Sequence, residues 1–410
     1  MMIKKIDPQI ANLIEKETKR QDETLNLIAS ENYPSKAVRD ALSSIFIVKY
    51  SEGRPYKRYY GGQEFIDKLE ILVEDRIRKV FGLTKKWSIN VQPYSGSPAN
   101  YAILRGLLKR GDKILSLTLS HGGHLSHGAN TVSLSSQDFK VINYFLDQDG
   151  FLDYKRIEEI AKKEKPKLII AGFSAYSRKI DFKKFNQIAK KVNAYLLADI
   201  AHIAGLIVGG VHPSPFPFAD VVMTTTHKTL RGPRGAIIIC KKELENKIFP
   251  KVFPGLQGGP HEHTICAIGV ALKETMTPQF KKYAQQIVKN NRALAEELKK
   301  YNFKLISGGT DNHLVLIDLT NKNITGKRTQ DLLEKAGMVV NKNTIPYDPR
   351  SPYDPSGIRL GTPAITTRGM KEKEMRKIAF WINEVISSPR SAPEVKKEVK
   401  KLCQEFPIPD

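Results

Sequence analysis

The feature that most constrains the fold is a series of short apolar runs separated by helix-length connections: SINVQ (88–92), KILSL (113–117), KVINYF (140–145), KLIIAG (167–172), AYLLAD (194–199), DVVMT (220–224) and AIIIC (236–240). Helical stretches such as 98–109, 153–164 and 181–191 lie between them. Buried strands alternating with helices predict a mainly parallel sheet covered on both faces. Ligands of such sheets sit beyond the carboxyl ends of the strands, so the loop after each run is where chemistry is to be sought.

The flanks read differently. Asp7 and Pro8 form an N-cap and first-turn pair, which predicts a helix over DPQIANLIEKETKRQDETL, and a second helix is expected from Lys36 to about Val48. KYSEGRPYKRYYGGQE is too polar for a core strand and too aromatic for a plain linker, so it reads as an arm docked on something. A long helical region from about 260 to 300 precedes strand candidates at 303–306 and 313–319 and a closing helix at 371–387, the pattern of a smaller α+β domain. The expected division is an N-terminal helix and arm over 1–64, a large domain over 65–278 and a small domain over 279–410.

The loops carry the candidate chemistry. PYSGSPANYAIL after the first run places Ser95, Gly96 and Ser97 at a helix N-terminus, where backbone N–H groups can cradle phosphate; the bland alternative is a simple cap. TLSHGGHLSHG brings three histidines into seven residues. No carboxylate or cysteine follows at ligand spacing, so a planar imidazole stacked on a flat ligand is favoured and no metal is expected. Asp199 ends a buried run and needs a cationic or donor partner, whether as a helix cap or against a protonated ring nitrogen. MTTTHKTLRGPRG then places Lys228 between two buried strands. An amine beside a phosphate cradle, a stacking histidine and a strand-end carboxylate is the set that holds pyridoxal phosphate as a Schiff base.

Composition excludes other classes. Three widely spaced cysteines, Cys240, Cys266 and Cys403, give no disulfide framework and no zinc spacing, which points to a reducing compartment. With no apolar leader and no bilayer-length stretch, a soluble cytoplasmic protein is expected. The excess of 66 Lys and Arg over 43 Asp and Glu admits a polyanion partner. Its scatter in short pairs alternating with acids reads instead as solvated surface, and only the 49–60 arm interleaves bases with aromatics, so nucleic acid is not expected as a partner.

Motif after motif, LIASENYPS, KYSEGRPYKRYYGGQE, VQPYSGSPANYA, HGGHLSHG, ADIAHIAGLIVGGVHPSP, TTTHKTLRGPRG, VFPGLQGGP and SGIRLGTPAITTRG, the chain resembles the serine hydroxymethyltransferase family from about residue 7 to 388. The resemblance implies the pyridoxal-phosphate fold-type I architecture of the aspartate aminotransferase type, α/β with an N-terminal arm and a smaller C-terminal α+β domain. It implies transfer of the serine hydroxymethyl group to tetrahydrofolate or a related reduced pterin, giving glycine, in an obligate homodimer that can pair into a tetramer.

Residue by residue, the resemblance makes Lys228 the cofactor amine, His227 a specificity position and Asp199 the partner of the pyridinium nitrogen. His124 would stack on the ring, His202 would lie beside the cofactor hydroxyl and substrate, and Thr225 would assist lysine exchange. Ser95, Gly96 and Ser97 would hold phosphate, with Tyr50, Gly258 and Gly259 from the other subunit. Arg359 and Ser30 would grip the substrate carboxylate; Glu52 would move a proton across the dimer interface next to Tyr60. Leu119, Gly123, His124, Leu125, Asn343, Ser351, Pro352 and Tyr353, with Tyr59, would face the pterin. Departures fall at Arg54, Tyr56, Phe173, Ser177 and His261, and the bases Arg54, Lys57 and Arg58 suggest affinity for an acidic pterin tail. A folate-independent 3-hydroxy amino acid aldolase is the competing enzyme reading, and lacks the arm and the pterin segment.

Overall fold

The computed structural model describes residues 2–129 and 132–409. All seven apolar runs are strands of one sheet: β1 Trp87–Asn90, β2 Lys113–Leu117, β3 Lys140–Tyr144, β4 Leu168–Ala171, β5 Tyr195–Asp199, β6 Val221–Thr225 and β7 Ala236–Lys241. Their order across the sheet is β1-β7-β6-β5-β4-β2-β3, with β7 antiparallel to both neighbours and every other pair parallel. The mainly parallel sheet expected from the sequence is therefore present. Apolar side chains on its two faces enter two separate cores, one around Leu115, Leu196 and Ile237, the other around Ile114, Leu197 and Ile238. Burial on both faces is why these strands read as continuous rather than alternating apolar runs.

The N-terminal helix α1 runs Pro8–Asp22, with Asp7 accepting from Ile10 N at 3.0 Å, as the Asp-Pro pair predicts. The helix expected from Lys36 to Val48 is shorter: α2 is Lys36–Leu42, then Ser43 and Ser44 turn their hydroxyls onto backbone carbonyls and a separate 3₁₀ turn covers Ile45–Val48. The arm folds into a small hairpin, Gly53–Arg54 against Lys57–Arg58, seated on α3 (Glu64–Phe81). Tyr56 at its tip has φ +62°, a backbone conformation that favours glycine. Helix α4, Gly96–Leu107, follows β1.

The region 260–300 is two helices, α5 Glu262–Thr275 and α6 Pro278–Lys300, because Thr277 caps α6 ahead of Pro278. Along α6, Ala284, Ile287 and Val288 pack in the core of the large sheet, whereas Leu294, Ala295 and Leu298 pack in that of a second sheet. This second sheet has strands β8 Lys304–Leu305, β9 Leu314–Asp318, β10 Asn341–Asn343 and β11 Gly357–Gly361, in the order β8-β9-β11-β10, all antiparallel. Leu25 and Leu27, from the N-terminal segment, belong to its core. Helix α7, Glu372–Ser387, is not the last; α8, Ala392–Glu405, follows and buries Val395, Val399 and Leu402 in the same core.

Candidate active site

Loops leaving the carboxyl ends of β1, β2, β4, β5 and β6 meet at one edge of the sheet. They enclose a cavity lined by Ser95, Gly96, Ser97, His124, Asp199, His202, Thr225, His227 and Lys228. Most of the sequence-derived site residues of the large domain are thus brought together.

Lys228 reaches this cavity from the turn after β6, and its Nζ donates to Thr225 Oγ1 at 2.8 Å. The turn is rigid: Gly232 N bonds to Thr226 O at 2.8 Å and Thr226 Oγ1 to Pro233 O at 2.6 Å. Burial lowers the amine from its usual 10.5 to about 8, with Arg234 and Arg359 pushing the same way and Asp199 opposing. A buried lysine whose pKa is lowered this far gives up its proton far more readily than a surface lysine and so is suited to act as a nucleophile.

Asp199 ends β5 and is buried. Burial alone would raise its carboxyl, but the hydrogen bond and charge of His127 and the Asn100 amide hold it well below the usual carboxylate range. His127 Nε2 and Asn100 Nδ2 reach Oδ2 at 2.8 and 2.9 Å, and Ala201 N donates to Oδ1 at 3.0 Å. The buried-carboxylate reading holds, but the helix-cap reading does not: the bond to Ala201 N is a local turn bond, and the next helix, Ala204–Val208, has Ile203 at its N-cap. Asn100 also donates to Ser126 Oγ at 2.9 Å, and Ser126 meets His124 Nδ1 at 2.8 Å, so Asp199 and His124 share one buried network.

Helix α4 points its N-terminus at the cavity. Its N-cap Ser95 makes no side-chain cap bond, so that hydroxyl remains available. A Cβ on Gly96 would lie 2.8 Å from Thr225 Cγ2, so only glycine lets the helix end approach β6 this closely. His202 Nδ1 pairs with His313 Nε2 at 3.1 Å, and burial keeps the His202 ring neutral. His227 is pushed down to about 3 by burial and by Lys228, and its Nδ1 is buried with no partner.

Arg359 comes from β11 of the second sheet and abuts the cavity through Ser174, whose carbonyl accepts from Nη1 at 2.6 Å; Asn341 Oδ1 accepts from Nε at 3.1 Å. Among the described residues no carboxylate lies within ion-pair distance of it, and burial lowers the guanidinium to about 10. A buried cation without a counter-ion is a receptor for an anion. Ser30 follows Ala29, which packs so tightly on β11 that a Cβ on Gly361 would sit 2.4 Å from Ala29 Cα.

Leu119, Gly123, His124, Leu125, Asn343 and Pro352 line a neighbouring cleft with Gly122, Ala175 and Lys342. Ser351 and Tyr353 flank Pro352 on the exposed loop, outside the lining residues of that cleft. The arm residues are elsewhere. Tyr50 stacks edgewise on Tyr60 at 5.2 Å, Tyr59 meets Phe253 at 5.8 Å, and Gly258 and Gly259 lie against Glu52 and Tyr50. None of these seven lines the Lys228 cavity of the same chain.

Two readings need correction. Arg54 pairs with Glu74 at 2.7 Å, and the buried Arg58 pairs with Asp67 and Glu70, both at 2.8 Å, so neither is free to attract an acidic tail; only Lys57 of the three is exposed. The other departures have packing roles. His261 stacks on Tyr94 at 4.1 Å and 3°, Phe173 lines the cavity, and Ser177 Oγ meets Ser307 Oγ at 3.0 Å.

Sequence reasoning missed His127, Asn100 and His313. Asn100 lies one helical turn after Gly96 on α4, a spacing that places both on one face. His127 stood in a quoted motif without a role, and nothing local marks His313 as the partner of His202.

Comparison with known proteins gives a family model, "Serine hydroxymethyltransferase", matching residues 3–382. A curated relative from Desulfotalea psychrophila, also named serine hydroxymethyltransferase, is 53% identical over 406 residues, covering 98% of this chain and 95% of that protein.

Proposed function

The chain belongs to the serine hydroxymethyltransferase family, and from that premise we propose how its residues divide the work of moving the serine hydroxymethyl group to tetrahydrofolate and releasing glycine. The observation that carries the assignment is the convergence of a buried lysine with a lowered pKa and a carboxylate held ionised at one strand edge, with an uncompensated arginine abutting them from the second sheet.

The residues fit pyridoxal phosphate. The unspent Ser95 hydroxyl and the N–H groups at the start of α4, brought close to β6 by Gly96, suit its phosphate, and the orphaned His227 Nδ1 leaves a buried polar atom for a ligand to meet. Lys228 would anchor the cofactor aldehyde, Asp199 would keep the ring nitrogen protonated, and His124 and His202 would contact the ring and its hydroxyl. When bound, that ring supplies an electron sink for the carbanion at the amino acid's Cα.

The chain's own groups do the rest. Arg359, preset by Ser174 and Asn341, orients the serine carboxylate by a bidentate pair, with Ser30 beside it. Thr225 holds the Lys228 amine while substrate replaces it. Glu52 takes the hydroxyl proton, and Tyr60 borders it. The cleft between Leu119–Leu125 and Asn343–Pro352 receives the reduced pterin, which the folate-independent aldolase reading leaves without a purpose. Because Glu52, Tyr50, Tyr60, Gly258 and Gly259 lie away from the cavity of their own chain, they serve the cavity of a second copy, and the active unit is a homodimer.

The test is the absorbance spectrum of protein supplied with pyridoxal phosphate. A band near the visible edge, absent in Lys228→Ala, is expected, with a further long-wavelength band on adding glycine and tetrahydrofolate. No band in the parent protein would overturn the cofactor assignment. No response to tetrahydrofolate would overturn the pterin cleft alone.

A further inference from the structure

His121 is buried, 3% exposed, and has no part in the roles above. Its ring lies between two aromatic rings, Phe145 at 5.2 Å and Tyr347 at 4.6 Å, both edgewise. Its two nitrogens face backbone N–H groups from different parts of the fold. Leu146 N approaches Nδ1 at 3.1 Å from the loop after β3, and Tyr347 N approaches Nε2 at 3.1 Å from the loop between β10 and β11.

That second loop, 344–356, is held on the large domain at few other points. Thr344 Oγ1 donates to Ser120 O at 2.9 Å and the Tyr347 hydroxyl donates to Leu146 O at 2.8 Å. Internally, the Asp348 carboxylate gathers Ile345 N, Arg350 N, Ser356 N and Ser356 Oγ at 2.7–3.2 Å, so the loop is a preformed body docked as a unit. Tyr347, the docking residue, has φ +56°, a conformation a tyrosine holds only where its surroundings over-determine it. The far end of the body carries Pro352, one wall of the cleft whose other wall is Leu119, Gly123 and Leu125.

We propose that His121 is a positioning residue that latches the 344–356 loop of the small domain onto the large domain and so sets the width of the pterin cleft. The proposal rests on the reading of that cleft given above. A neutral imidazole has one lone pair, so it accepts from Tyr347 N or from Leu146 N, never both at once. With the proton on Nδ1 the loop is engaged. With the proton on Nε2 the lone pair turns to Leu146 N and the loop keeps only its Thr344 and Tyr347 hydroxyl contacts. The latch is thus built to release without unfolding either domain, as a wall that must admit a bulky co-substrate requires.

The test uses holoenzyme. In His121→Ala, amide exchange at Tyr347 and its neighbours is expected to rise about tenfold without folate present, and His121→Asn, which keeps one acceptor, is expected to restore part of the protection. The KM for tetrahydrofolate should rise about tenfold while kcat and the KM for serine stay within twofold, and folate-independent cleavage of a 3-hydroxy amino acid should not change. Thr344→Val combined with Tyr347→Phe, which leaves the buried His121 ring in place, should act in the same direction by about threefold. Unchanged exchange in both variants would overturn the latch. Faster exchange with an unchanged folate KM would leave the latch standing and overturn the pterin cleft on which its role depends. Equal losses in every activity would reduce His121 to a purely structural residue.

Discussion

His127 Nε2 lies 2.8 Å from Asp199 Oδ2, and both side chains are buried. The histidine is one of three donors that keep a buried carboxylate ionised in the cavity that holds Lys228. Replacing it with alanine leaves part of the carboxylate undonated, which should cost about 1–3 kcal/mol in urea unfolding. Asp199→Asn should retain the fold and lose at least about 100-fold in kcat, since about 3 kcal/mol of charge complementarity to the ring is removed. Parent-like turnover in Asp199→Asn would remove the role given to this carboxylate.

Lys228 makes stability depend on pH. Its folded pKa, about 8, lies below the 10.5 of a free lysine, so the unfolded chain binds more protons between those values and stability rises with pH across that window. Below about pH 8 the charged amine costs the fold about 3 kcal/mol. Cofactor-free Lys228→Met should therefore be inactive yet more stable than the parent at pH 7, and the difference should shrink above pH 10. Thermal melts across pH 6–10.5 measure it.

Glu262 titrates in the arm's foundation. Ser51 Oγ donates to its Oε1 at 2.6 Å, its Oε2 has no hydrogen-bond partner, and burial together with the charge of Glu70 pushes it up to about 9. A carboxyl with a raised folded pKa stabilises most below about pH 4.5, and that contribution is lost as pH rises towards 9. The slope is at most about 1.4 kcal/mol per pH unit. Glu262→Gln should flatten this decline, and identical pH–stability curves for the two proteins would refute the assignment.

Arg58 is structural. Its removal leaves Asp67 and Glu70 buried without a cation, which should cost about 3–5 kcal/mol. Arg58→Met is expected to lower the melting temperature sharply while leaving the ratio of KM values for mono- and polyglutamylated folate unchanged in whatever protein folds. A changed ratio would restore the acidic-tail reading of that residue.

Arg359→Lys keeps the charge and loses the planar fork. The KM for serine should rise about 10- to 100-fold, corresponding to about 1.5–3 kcal/mol for a charge-assisted bond. Affinity for pyridoxal phosphate itself should hold, as read by spectral titration.

The large sheet was legible because its strands are buried on both faces and so appear as uninterrupted apolar runs, bounded by residues that also mark the loops. The second sheet was only partly legible. β8 and β9 read as apolar runs, but β10 is Asn-Lys-Asn and β11 is Gly-Ile-Arg-Leu-Gly, whose strand character comes from tertiary pairing and not from pattern. The same limit applies within the site. Lys228 and Asp199 announce themselves as polar residues at the ends of apolar runs. His313 lies 111 positions from His202, and no local rule joins them. Arg54 and Arg58 were misread because their acidic partners sit one helix away, on α3.

The arm that carries Glu52 is remote from the Lys228 cavity of its own chain, and under the proposed pairing this makes the two lesions trans-complementing. Chains bearing Lys228→Ala and chains bearing Glu52→Gln are each inert alone. A mixed pair reassembles one sound centre from the two unmutated halves and leaves the other doubly defective. Random reassortment of equal amounts should thus recover about a quarter of parental turnover. The same geometry makes a Glu52→Gln subunit a poison to a sound one, because it disables the centre that its neighbour owns, whereas a Lys228→Ala subunit disables only its own.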